Sequence, residues 1–122
     1  MKLKNLTELA DLLRGLNDHS PHCKMGFDMQ YMYDNRHISN HPCGSACCIG
    51  GWVQYRNKNT RDLEVEYAVR SISPPDTPID EIYKLCYPPD GSEAWEATPQ
   101  QAAKAVEILR DTGKCDWDEA MK

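Results

Sequence analysis

Pro42-Cys43-Gly44-Ser45-Ala46-Cys47-Cys48-Ile49-Gly50-Gly51-Trp52-Val53 is the stretch on which the fold turns. It holds three of the six cysteines, three of the seven glycines and one of the three tryptophans. Ser45 can cap a helix, its hydroxyl accepting from a free backbone N–H of the first turn. From Ala46 the residues are small or apolar, as expected of a short buried helix. Cys48, Gly51, Trp52 and Tyr55 recur at helical spacing and would share a face. Gly50 and Gly51 each cost a helix about 1 kcal/mol relative to Ala. Their use is therefore expected to be steric: another segment lies against the backbone here, and Trp52 is buried beside it. Asn57-Lys58-Asn59 ends the helix.

Upstream, Asn5-Leu6-Thr7-Glu8 has the form of a capping box, with Asn5 as cap and Glu8 reaching back. Leu6, Leu9, Leu12 or Leu13, and Leu16 follow at helical spacing, which predicts a helix over about residues 6–15, closed at Gly15. Residues 17–26 and 34–42 read as loops. Between them Phe27, Met29, Tyr31 and Tyr33 alternate with polar residues, as in a half-buried strand. Downstream, residues 62–72 are ambiguous: Leu63, Val65, Tyr67 and Val69 fit a strand, and Val65, Ala68, Val69 and Ile72 fit a helix. Helix is expected, and Pro74-Pro75 breaks it. Thr77-Pro78 reads as a cap with proline at the first helical position, followed by an apolar stripe of Ile79, Ile82, Tyr83 and Cys86. Thr98-Pro99-Gln100-Gln101 is the strongest helix start in the chain, a capping box opening a helix that Gly113 closes. A last turn at Asp116-Trp117-Asp118-Glu119-Ala120 should fold Trp117 back onto the body. The expected fold is mainly α: one small domain over residues 1–122, with four to five helices and a minor β element.

The chain has 122 residues, 40% of them hydrophobic and 27% charged, enough to bury one core. No apolar run reaches the length of a membrane span, and Met1-Lys2-Leu3-Lys4-Asn5 does not lead into a secretory signal. These features lead to the expectation of a cytoplasmic protein whose six cysteines are thiols or metal ligands. The net charge of −5 is unevenly shared. Residues 1–60 carry seven Lys/Arg and five Asp/Glu, a balance of +2; residues 61–122 carry seven and fourteen, a balance of −7. No basic stripe of the kind a nucleic-acid binder needs is visible. The acidic half suits a basic protein partner instead. Amphipathic helices would place Glu64, Glu66, Asp80, Glu81, Glu107 and Asp111 on the outer surface, as the residues that meet it.

The string C-G-S-A-C-C-I-G-G-W resembles the C-G-[ST]-x-x-C-x-x-G-[WH] segment of small uncharacterised proteins of phages, prophages and bacterial genomes. Cys43, Gly44, Ser45, Cys48, Gly51 and Trp52 occupy the motif positions, and Cys47 is additional. An amphipathic first helix, an F-D-M-like segment, the motif and acidic helices after it follow the same layout. That layout is part of the reason for expecting a helix, not a strand, at residues 62–72. The resemblance implies a fold and a phage-type genomic setting in a bacterial cell, with no activity attached.

All four histidines and four of the six cysteines fall between residues 19 and 48: His19, His22, Cys23, His37, His41, Cys43, Cys47 and Cys48. Zinc sites take four N or S ligands as close pairs on loops or helix starts. Cys43 and Cys47 form one such pair, with His41 and Cys23 as the further ligands, and a zinc held there would be structural. The motif also carries its two cysteines without these histidines, and buried Cys is an ordinary small hydrophobe. A cysteine nucleophile, Cys47 or Cys48 with His37 or His41 as base, would make the chain a small cysteine- or metal-dependent enzyme. The glycine spacing matches neither nucleotide fingerprint. The favoured function is a non-enzymatic binding protein that docks on a host nucleic-acid-binding complex and inhibits or modulates it, as anti-CRISPR-type inhibitors do. Direct contact with nucleic acid or membrane is not expected.

Overall fold

Leu6, Leu9, Ala10 and Leu13 form the buried face of α1 (Leu6–Arg14), the first helix of a computed structural model that describes residues 2–15, 49–60, 62–89 and 91–122. Asn5 caps it, its side-chain oxygen accepting from the Glu8 N–H at 2.9 Å. The reciprocal arm differs from the expected box: Glu8 Oε1 accepts from the N–H of Lys4, at 2.8 Å, rather than from that of Asn5. Gly15 ends the helix in a right-handed conformation, its N–H shared between the carbonyls of Leu12 and Leu13.

The motif helix α2 (Ile49–Arg56) is enclosed rather than one-faced. Ile49, Gly50, Gly51, Trp52, Val53 and Gln54 are all buried, which is the signature of a helix surrounded by its neighbours. Trp52 is fully buried and meets the half-buried Tyr55 edge-on, with ring centroids 5.4 Å apart. Asn57 closes the helix as expected and then serves the tertiary structure. Its side chain accepts from the Leu3 N–H at 2.7 Å and donates to the Leu3 carbonyl at 2.9 Å, so both backbone polar groups of a buried residue are satisfied. A 3₁₀ turn over Lys58–Thr60 follows.

α3 (Val65–Arg70) buries Val65, Ala68 and Val69, with Ile72 just beyond, at the helical spacing read from the sequence. α4 (Ile79–Cys86) corrects two expectations. Pro78, not Thr77, is its cap: the Pro78 carbonyl accepts from the N–H groups of Glu81 and Ile82, and the Thr77 carbonyl is taken by the Arg70 guanidinium. Its buried stripe is Ile82, Leu85 and Cys86; Ile79 and Tyr83 lie outside the core.

The Thr98 capping box forms in full and opens α5 (Pro99–Thr112), whose Ala102, Ala103, Ala105, Val106 and Leu109 are buried. Gly113 ends it at φ 75°, the left-handed C-cap conformation that only glycine adopts without strain. α6 (Trp117–Ala120) is capped by Asp116 and folds Trp117 onto α4, where its indole N–H donates to the Lys84 carbonyl at 3.0 Å. α1 lies on α5, α2 packs on α3 and α4, and α4 touches α3 and α5, so the core sits between these five helices. The described residues form a mainly α-helical small domain with six α-helices, the sixth being the terminal turn. The strand expected around residues 27–33, the Ser45 cap and the start of the motif helix lie outside the described residues. No helix among the described residues is long and apolar enough to cross a membrane.

The expected close approach to a motif glycine is made at Gly50. A Cβ added there would lie 2.4 Å from the Cβ and 3.2 Å from the Cα of Val65, the first residue of α3. Gly50→Ala gains about 1 kcal/mol of helix propensity, but it overpacks a junction against backbone, which typically costs 1–3 kcal/mol, roughly. A net loss of stability is expected, seen as a lower urea midpoint, and Gly50→Leu should lose more. An unchanged or raised midpoint for Gly50→Ala would contradict the packing argument.

Candidate partner-binding face

The six carboxylates singled out from the sequence divide into two groups. Glu107, on α5, is gripped by Arg14 at the end of α1: Nη1 donates to Oε2 at 2.7 Å and Nη2 donates to Oε1. This bond holds the Glu107 carboxyl below its ordinary pKa, and only 28% of the side chain is exposed. Asp111 is paired with the adjacent Arg110, which lowers its pKa and also donates to Thr7 Oγ1 at 3.1 Å. Glu81, in the first turn of α4, is 18% exposed. Its Oε2 accepts from Lys84 Nζ and its Oε1 from the Cys115 N–H, both at 2.9 Å. The Lys84 bond, then the Cys115 bond, draw its pKa down. The expected outward placement is thus corrected for Glu81 and Glu107, which are partly buried and clamp α4 to residue 115 and α1 to α5.

Glu64, Glu66 and Asp80 form no ion pair among the described residues. Glu64 occupies the N-cap position of α3 without using its side chain as a cap, and is exposed. Asp80 is exposed in the first turn of α4. Glu66 is half-buried, and its Oε1 accepts a long 3.4 Å hydrogen bond from the Tyr87 hydroxyl. Two basic residues of the same stretch, Arg70 and Lys84, are already engaged, and Arg61 lies outside the described residues. Arg70 donates to the carbonyls of Thr77 and Pro75, and Lys84 to Glu81. Residues 62–87 carry six Asp/Glu against two Lys/Arg.

The same stretch supplies every large exposed hydrophobic among the described residues: Leu63 at 43%, Tyr67 at 51%, Ile79 at 36% and Tyr83 at 50%. Ile79 and Tyr83 are one turn apart on α4, and Tyr83 lies against Tyr87 with ring centroids 4.6 Å apart. Sequence reading assigned Ile79 and Tyr83 to the core. The signal against that assignment is the denser stripe Ile82-Leu85-Cys86 on the same helix, which leaves the tyrosine side outward. Exposed apolar surface that includes aromatics and is bordered by charge is characteristic of contact sites.

Cys23, His41, Cys43 and Cys47, the candidate zinc ligands, lie outside the described residues, as do His19, His22, His37 and Cys48. Among the described residues no three His, Cys, Asp or Glu side chains come together as a metal site. The two described cysteines are Cys86, buried, and Cys115, partly buried, whose thiol pKa burial pushes up to about 12. No family model, curated protein or solved structure matches the chain.

Glu81 yields a pH prediction. Its folded pKa lies below the ordinary value of 4.5, so its contribution is complete above that pH and is lost as pH falls through the folded value. Glu81→Gln should lower the urea midpoint at neutral pH, and the gap from the native chain should narrow in acid. A gap that stays constant from neutral pH to strong acid would remove the charge interaction as its cause.

Proposed function

We propose that the chain is a small, acidic, non-enzymatic binding protein of phage or prophage type that docks on the basic surface of a host nucleic-acid-binding complex and inhibits it by occupying that surface, as an anti-CRISPR-type inhibitor would. The observation that carries this reading is the coincidence, within residues 62–83, of uncommitted carboxylates with all the large exposed hydrophobics described. Apolar contact supplies short-range affinity, and the single sign of charge speeds encounter with a basic groove. A negatively charged face repels phosphate, so the contact is with the protein part of the complex, in the cytoplasm of the bacterial host. The motif resemblance supports the phage-type setting.

The full chain, immobilised and exposed to bacterial lysate at low salt, should retain a basic nucleic-acid-binding protein that competitor DNA releases. Glu64→Lys with Asp80→Lys reverses two exposed carboxylates without touching the clamps at Glu81 and Glu107. That pair should slow association and flatten its salt dependence, since such steering is screened over about 8 Å at physiological ionic strength. Binding insensitive both to the reversals and to salt would sink this reading.

A structural zinc belongs to the same proposal, supported by the density of His and Cys between residues 19 and 48. Cys43 and Cys47 with His41 and Cys23 would hold it. Elemental analysis should find about one zinc per chain. Cys86 and Cys115 are shielded, so they react slowly with thiol reagents whether or not metal is present. The informative readout is Cys23, Cys43 and Cys47, which should become reactive only after chelation. Metal-free protein in which these thiols react at once would remove the zinc.

A further inference from the structure

We propose that the corner formed by Tyr83, Tyr87 and Glu66 is an anchoring site for an arginine side chain of the basic partner. The proposal rests on the docking reading above and adds the identity of the group that is held. Tyr83 and Tyr87 lie against each other with centroids 4.6 Å apart and planes inclined at 39°, and Tyr83 is half exposed. Half of Tyr83 therefore remains open to solvent beside Tyr87. The Tyr87 hydroxyl donates to Glu66 Oε1 at 3.4 Å, a contact near the limit of a hydrogen bond. The Glu66 carboxylate thus stands beside the aromatic pair, and its second oxygen accepts no hydrogen bond among the described residues. Asp80 precedes Tyr83 by three residues on α4 and brings a second exposed carboxylate to the same side of the helix.

A planar guanidinium meets this arrangement as an ammonium does not. It can lie over an aromatic face while its N–H fork donates to a carboxylate in the ring's border, and it gives up hydration more readily than lysine. Tyr and Arg are enriched in protein contacts and Lys is depleted. Among the described residues, Arg70 and Lys84 are engaged with Thr77, Pro75 and Glu81. The excess of six acids over two bases in residues 62–87 selects a cation as the occupant.

The test uses the full chain with labelled nona-arginine and nona-lysine peptides at low salt, read by fluorescence anisotropy. Nona-arginine should bind about two- to fivefold more tightly, the scale of one exposed cation–π contact. Tyr83→Leu keeps an apolar side chain and removes the ring. Glu66→Gln removes the charge. Each should bring nona-arginine down to the nona-lysine affinity, whereas Glu119→Gln, an equal charge change on α6, should keep the preference. Circular dichroism establishes that the variants are folded. Equal affinity for the two peptides overturns the arginine site. So does an arginine preference that survives both Tyr83→Leu and Glu66→Gln. If equal binding is nonetheless lost on Glu64→Lys with Asp80→Lys, the arginine site falls while acidic docking stands. If neither peptide binds, both fall.

Discussion

The contact of Gly50 with Val65 sets the distance between the motif helix and α3, and the exposed face follows from it. With a hydrogen in place of a side chain, α2 comes within van der Waals reach of the first turn of α3. The Gln54 side chain adds a donor to the Leu63 carbonyl at 2.6 Å, fixing the chain just before that turn. Val65 is thereby held inward, and its neighbours Glu64 and Glu66 flank the buried position. At its other end α2 is tied through Asn57 to Leu3, so the helix that carries the motif also anchors the start of the chain.

Acidic charge has two separate uses in this domain. Glu81 and Glu107 are partly buried and spend their oxygens on partners within the chain, joining segments remote in sequence. Partly exposed pairs of this kind contribute modestly to stability, but they fix which surfaces meet. Glu64 and Asp80, both exposed, have no such duty among the described residues, and Glu66 carries only the long bond from Tyr87. A carboxylate that neither caps a helix nor balances a base leaves its field in solvent, where a partner can meet it. The uneven charge balance of the sequence acquires a location only after this division, because the paired carboxylates cancel close to home.

Tyrosine suits the border between these regimes. Its ring offers apolar area with little conformational freedom to lose, and its hydroxyl keeps it compatible with water when no partner is present. Tyr67 and Tyr83 are half exposed, while Tyr87 links the α4 end to Glu66 on α3. The docking face proposed for this protein is therefore built on helices held by the core rather than on a loop, which favours a preorganised contact.

Most helix starts and stops with local bonds were determined by the sequence itself. Asn5 reaches Glu8, Thr98 and Gln101 satisfy each other, Asp116 reaches Glu119, and Gly113 takes the left-handed conformation. In each case cap and partner lie within one helical turn, so composition and spacing suffice to read them. At residues 62–72 spacing left strand and helix open, and the structure forms the helix, with Val65, Ala68, Val69 and Ile72 buried. Tertiary structure decided what depends on distant partners. At α4 the Arg70 guanidinium, seven residues away, takes the Thr77 carbonyl, and Pro78 rather than Thr77 caps the helix through local bonds that spacing did not reveal. Tyr83 faced solvent because Ile82 and Leu85 claimed the core. Glu107 and Glu81 left the free surface for partners 93 and 34 residues away. Capping bonds join residues already adjacent along the chain, whereas ion pairs and exposure are set by which helices pack together, and local spacing carries no record of that.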